Sequence, residues 1–191
     1  MIKDIIIKSL KSVFAFTILT GIVYPLFVTG FGQLIFPFKS NGSLIKKDGV
    51  VIGSELIAQQ FESNKYFQPR PSYNGYSSMP SGGSNLAIAS KEYKLKSDSL
   101  CNAFKQRNNL HNNTEVPSEM MSYSASGIDP HISKQSAILQ TDRISAARNF
   151  DESKRRSLLN LIETFSEKPQ LGFIGEERIN VLLINLEIDK L

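Results

Sequence analysis

Residues 12–38 read SVFAFTILTGIVYPLFVTGFGQLIFPF, about 27 positions without one charged side chain. A helix needs about 20 apolar residues to cross a hydrocarbon core of about 30 Å, so this run is long enough with some to spare. A single Lys or Asp at the bilayer centre costs about 2.5–3.5 kcal/mol, which makes a long uncharged run informative. Core helices of globular proteins show a polar face within two turns, and this one has almost none. The stretch is therefore expected to be one transmembrane helix. A cleaved signal peptide is the rival reading, since Lys3, Lys8 and Lys11 precede the run. Its apolar region, however, exceeds the usual length, and Val28-Thr29-Gly30 is a poor cleavage site. Nothing else in the chain is apolar enough to enclose the run as a buried helix.

Pro25 falls inside the run, removes a backbone donor and is expected to kink the helix. Membrane helices tolerate this where neighbouring helices or polar side chains satisfy the freed carbonyl. Gly21, Gly30 and Gly32 permit close approach of another helix, although no strict GxxxG occurs. Ordinary membrane-helix composition explains the glycines equally well, so both readings stand.

The anchor divides the 191 residues into three parts: a short N-terminus (1–11), the span (12–38) and a domain (39–191) large enough to bury a core. Net charge is +4, with positives dispersed among acids, which argues against nucleic acid as a partner. The lone Cys101 excludes an internal disulfide. His111 and His131 lack metal-ligand spacing. Flanking lysines nearly balance across the span; a cytoplasmic N-terminus with the domain outside is the expected orientation.

Beyond the span, Leu44-Ile45 and Val50–Ile52 flank Asp48-Gly49, a hairpin signature. Gly53–Phe61 suggests a short helix capped by Ser54. Residues 63–90 are punctuated by Pro69, Pro71, Gly75, Pro80 and Ser81-Gly82-Gly83-Ser84-Asn85, so no long element is expected there. The aromatics Tyr66, Phe67, Tyr73 and Tyr76 favour an ordered loop. Tyr93, Leu100 and Phe104 share one face of a helix over 91–109. A helical turn begins at Pro117, and Ser133 is positioned to cap a helix over about 134–149. Leu158, Leu161, Ile162 and Phe165 mark an amphipathic helix beginning after Asp151. Ile179–Leu186, apolar on both faces, suits a buried strand. The fold class is α+β, with strands toward both ends of the domain and helices between.

Among chemical signatures, absences dominate. There is no phosphate-binding G-x-x-x-x-G-K-[ST] loop, G-x-G-x-x-G turn, Asp-Lys-Thr-Gly segment, Thr-Val-Gly-Tyr-Gly filter, H-E-x-x-H or G-x-S-x-G. One membrane helix cannot enclose an ion pathway, and a stand-alone enzyme is disfavoured. Ser81–Asn85 is either an anion cradle, with glycine N–H groups turned toward one point, or a tight turn using glycine's conformational freedom. Arg70, held between two prolines, suits a carboxylate or phosphate partner or a structural salt bridge.

Together these segments resemble the KdpC family, the C subunits of bacterial potassium-transporting Kdp ATPases. The pieces carrying the likeness run in order from Thr20-Gly21-Ile22-Val23-Tyr24-Pro25-Leu26 through Asn41–Ile45 and Gly53-Ser54-x-Leu56-Ile57-x-Gln59. They continue with Tyr66-Phe67-x-x-Arg70-Pro71-Ser72, Ser81–Ala87 and Ser124-Ala125-Ser126-Gly127-Ile128-Asp129. Arg143–Asn149 and Asn185-Leu186-x-x-Asp189-Lys190-Leu191 complete them. The resemblance implies a non-catalytic, single-pass subunit of the bacterial inner membrane. Its partners would be a channel-like potassium subunit (KdpA), a P-type ATPase subunit (KdpB) and a small subunit (KdpF), with K+ as the transported ion. It further implies a catalytic chaperone that raises the pump subunit's affinity for ATP, with Gln59 and Ser81, Gly82, Gly83, Ser84 and Asn85 linked to nucleotide. The anchor residues Gly21, Tyr24, Pro25, Gly30 and Gly32 are expected to face the partners. A membrane-tethered binding module using Ser81–Asn85 is the alternative.

Overall fold

The computed structural model describes residues 2–191, and the chain divides after Ile52 into two compact units. In the first unit a helix begins at Ile2, about three turns ahead of the apolar run, and continues for 34 residues to Ile35. It is long and apolar enough to cross a membrane, and none of its side chains is buried. It is built as α1 (Ile2–Ile18), a π turn (Leu19–Val23) and α2 (Tyr24–Ile35). Proline explains the π turn: Pro25 follows directly on it and brings no N–H to the i→i−4 ladder of the continuing helix. Phe36 leaves helical geometry and Pro37 opens the short α3 (Pro37–Ser40). The hairpin follows as expected, with β1 (Leu44–Lys47) and β2 (Val50–Ser54) paired. Asp48 and Gly49 both take positive φ, 52° and 80°, the two left-handed positions of a type I′ turn.

The second unit departs from expectation at three places. Gly53–Phe61 forms no helix; Ser54 Oγ accepts the Leu56 N–H at 3.1 Å and closes only a turn. Ala58 then donates its N–H to the Ile128 carbonyl at 2.9 Å, drawing the backbone away from a helical path. The helix expected over 134–149 is two, α5 (Lys134–Ile138) and α6 (Thr141–Arg148), although Ser133 does cap the first. The terminal apolar run is mostly helix: β5 covers only Arg178–Asn180, and α8 runs Val181–Ile188. Asn180 starts α8 by accepting the Leu183 N–H at 3.1 Å. With five of its eight residues buried and Leu183, Leu186 and Glu187 half-buried, α8 has no broad polar face, so its sequence shows no clear helical period.

The remaining helices match the pattern of the sequence: α4 (Lys91–Arg107), capped by Ser90, and α7 (Glu152–Phe165), capped by Asp151. A 3-10 turn (Ser118–Met120) follows Pro117. β5 is the centre of a three-stranded antiparallel sheet, between β3 (His131–Ile132) and β4 (Ser166–Glu167). Helices α5–α8 pack around this sheet. Ile144, Leu158, Ile179, Ile184 and Ile188 are fully buried there, and Phe67 from the long loop completes the cluster. Burying each such side chain contributes roughly 1.5–3 kcal/mol.

The long loop is fixed by side-chain amides. Asn185 accepts the Phe67 N–H at 2.8 Å and donates to the Phe67 carbonyl at 2.9 Å. Gln140 does the same for Gln68, at 2.8 and 3.2 Å. The buried Arg143 guanidinium donates to Asn108, Asn64, Tyr66 and Gln140, all neutral acceptors at 2.6–3.0 Å. Burial lowers this guanidinium to about 10, which leaves it charged at neutral pH.

Candidate functional site

Segment 124–129, Ser-Ala-Ser-Gly-Ile-Asp, is irregular backbone, and all the expected site segments of the second unit are tied to it. Such a loop must find partners for its peptide groups outside a helix or sheet. Ser124 N–H donates to the Pro71 carbonyl at 3.0 Å, and Gly82 N–H donates to the Ser126 carbonyl at 3.0 Å. Ser72 Oγ donates to the Gly127 carbonyl at 2.7 Å, and Ala58 N–H to Ile128 as described. At Asp129 the carboxylate accepts from Arg70 Nη1 at 3.0 Å and from the His131 N–H at 3.0 Å.

Gly127 is required here. Its φ is +73°, and a Cβ would lie 2.5 Å from Asn74 Oδ1 and 2.7 Å from the Gly82 carbonyl. At Gly83 a Cβ would press on the Ala125 carbonyl oxygen at 3.1 Å, so a larger residue needs the neighbouring backbone to give by a few tenths of an ångström.

The structure thus brings Arg70 and Ser81–Asn85 onto one support, with Gln59 one residue beyond its link. The Gln59 side chain itself lies over Gly53, where a Cβ would overlap its amide nitrogen, and beside Leu182. Within Ser81–Asn85, the Gly82 N–H is committed to the Ser126 carbonyl and so does not point outward. Asn85 adopts a left-handed φ of 54°. Arg70 forms an ion pair with Asp129, while its Nε is buried without a partner.

Burial alone would raise the Asp129 carboxyl, but hydrogen bonds from His131 and Arg70 outweigh it and hold the group below the usual carboxylate range. Tyr76 donates its hydroxyl to the Arg70 carbonyl at 3.0 Å, and burial pushes that phenol up to about 12.

Two of the clefts in the unit bear on these residues. The larger, about 440 Å³, is lined by Arg70, Asp129, His131 and the β4–β5 connection. The smaller, about 290 Å³, lies between Phe61, Pro69, Tyr76 and α4. Neither is lined by Gln59 or by 81–85. Among the described residues no cluster of three or more His, Cys, Asp or Glu could hold a metal ion. The role of 124–129 as a support is absent from its local sequence; the one signal is Gly127 followed by Ile-Asp-Pro, which marks a turn.

The anchor residues belong to the first unit. Gly21 and Gly30 have nothing within 4 Å of where a Cβ would be, and Gly32 meets only Ser40 Cβ at 3.9 Å. Tyr24 and Pro25 begin α2, and the Tyr24 side chain is exposed.

Comparison with known proteins covers the whole chain. The KdpC family model, described as the c chain of K+-transporting ATPase, matches residues 6–190. A protein of Mycobacterium bovis named potassium-transporting ATPase KdpC subunit is 43% identical over 188 residues, covering 97% of this chain and 98% of its own. The protein of that name from Leptospira interrogans is 40% identical over 186 residues, with 97% and 94% covered. That from Rhodospirillum rubrum is 43% identical over 178 residues, with 92% and 90% covered. A match of this length, spanning the apolar helix and the 124–129 support alike, places the chain in the KdpC family of potassium-transporting ATPase subunits.

Proposed function

We propose that this chain is the non-catalytic accessory subunit of an ATP-driven potassium uptake complex, anchored by residues 12–38 with its second unit outside the cytoplasm. The carrying observation is the family match over residues 6–190, which takes in most of a helix long and apolar enough to cross a bilayer. In this reading the chain docks on the outer face of the channel-like subunit (KdpA) beside the P-type subunit (KdpB) and KdpF. The anchor face bearing Gly21, Tyr24, Pro25, Gly30 and Gly32 lies against those partners. Its chaperone effect on ATP affinity reaches the pump subunit through the membrane-embedded subunits. A ligand or subunit shifts an equilibrium only by differential contact with its states.

Direct nucleotide contact by Gln59 and Ser81–Asn85 is the less favoured form of that effect, because the Gly82 N–H is already committed within the chain. Purifying the complex with and without this chain tests the reading. Its removal is expected to abolish potassium-dependent ATP hydrolysis; remaining subunits that copurify and pump normally overturn it. A reporter fused after Leu191 is expected outside the cytoplasm, and a cytoplasmic signal overturns the orientation.

A further inference from the structure

At the π turn, Tyr24 N–H donates to the Leu19 carbonyl, five residues back. In a regular α-helix that N–H would serve Thr20. The next residue, Pro25, carries no N–H at all. The Thr20 carbonyl is therefore denied both its i+4 donor and the i+5 donor of a π turn. Pro25 is also the i+4 position of Gly21, so that carbonyl too loses its regular α-helical donor, although the Leu26 N–H lies at its i+5 position. The Thr20 hydroxyl does not compensate, because it donates to the Phe16 carbonyl at 2.7 Å.

Position makes this vacancy costly. Thr20 lies nine residues beyond Lys11, the last charge before the run, which is about 13 Å along the axis and well inside a hydrocarbon core. Lipid tails carry no donors, and an unsatisfied backbone group there costs several kcal/mol. Gln33 on the same helix is thirteen residues away, about 20 Å. Beside the vacancy, Gly21 leaves the helix surface open, with nothing within 4 Å of its Cβ position.

We infer that the Thr20 carbonyl accepts a hydrogen bond from a hydroxyl or carboxamide side chain on a transmembrane helix of another subunit, admitted by the notch at Gly21. The inference rests on the proposed membrane docking and assigns that docking a chemical anchor. A Ser, Thr, Asn or Gln donor fits, because such side chains are the usual polar links between membrane helices. The π turn is then a built acceptor site, in keeping with the tendency of such turns to occur where a helix does something.

Carbonyl ¹³C shifts in lipid test it directly. Labelling this chain with ¹³C′-threonine and ¹⁵N-glycine selects only Thr20-Gly21 and Thr29-Gly30. Thr29, whose i+4 residue Gln33 lies within α2, serves as the satisfied reference. Thr29→Ser assigns the two signals. In the chain reconstituted alone, Thr20 is expected upfield of Thr29. In the complex assembled with unlabelled partner subunits, it is expected to move downfield toward Thr29. Pro25→Ala returns an N–H to the turn and is expected to abolish that difference. Thr20 unmoved on assembly, or a shift that persists in Pro25→Ala, overturns the donor while leaving docking intact. A chain that fails to copurify with the other subunits overturns the docking reading itself.

Discussion

The anchor helix and α8 are both mostly apolar, yet none of the anchor is buried and most of α8 is. Length separates them. Eight residues, about 12 Å, can be wrapped by β5, α7 and the long loop, whereas 34 residues exceed anything a domain of this size can enclose. The same side chains thus select protein as solvent in one place and lipid in the other. An apolar helix is defined by what can surround it, and composition alone does not say which.

The strongest way to break this comparison is to place a charge in each helix. Ile184→Asp puts an unpaired carboxylate at a fully buried site in α8. It is expected to cost at least about 4 kcal/mol and to abolish the cooperative thermal transition of the second unit. Arg143→Met comes next, since it leaves the Asn108 side-chain oxygen and the Asn64 and Tyr66 carbonyls without a donor and takes one of two donors from Gln140. A loss of about 3 kcal/mol, read as a lower denaturation midpoint, is expected. Phe27→Asp in the anchor should cost about 2.5–3.5 kcal/mol of insertion in a membrane-integration assay. The thermal transition of the second unit should not move, and a shift there would show that the two helices do not answer to separate solvents.

The smallest effect lies at the support. Asp129 titrates below its ordinary value of 3.8, so the unfolded chain takes up the proton first as pH falls. Its contribution is complete above that value and is lost below it. Asp129→Asn should therefore be destabilising by about 2 kcal/mol near neutral pH, with the gap to the parent closing in acid. Urea midpoints measured from about pH 6 down to about pH 2 check this, and a gap that stays constant with pH assigns the effect to packing instead.

Much of the fold could be read from sequence wherever a local rule governs. Asp48-Gly49 dictates the hairpin because only left-handed residues close a two-residue turn. The faces of α4 and α7 show because each is half solvated, so period and burial coincide. The helix α8 escaped this logic and reads as a strand, for an eight-residue run that is mostly buried carries no clear period. The break between α5 and α6 was equally hidden. Gln140 sits there because its carboxamide must meet the Gln68 backbone, 72 positions away. For the site, local sequence marks Gly82, Gly83 and Gly127 as turn formers. The hydrogen bonds joining Pro71, Gly82 and Ala58 to 124–129 link positions far apart in the chain, and no local pattern encodes them.

One of those long-distance contacts also sets the order in which the molecule can be completed. Asn185 grips the peptide of Phe67 from both sides across 118 positions, and it belongs to the final helix. During synthesis the Phe67 strip emerges from the ribosome long before its clasp exists. Until residues around 185 arrive, that strip presents an open N–H, an open C=O and a bare phenyl ring. Closure therefore waits on chain made 118 positions later, and over that interval the strip is open to proteases and to stray strand pairing.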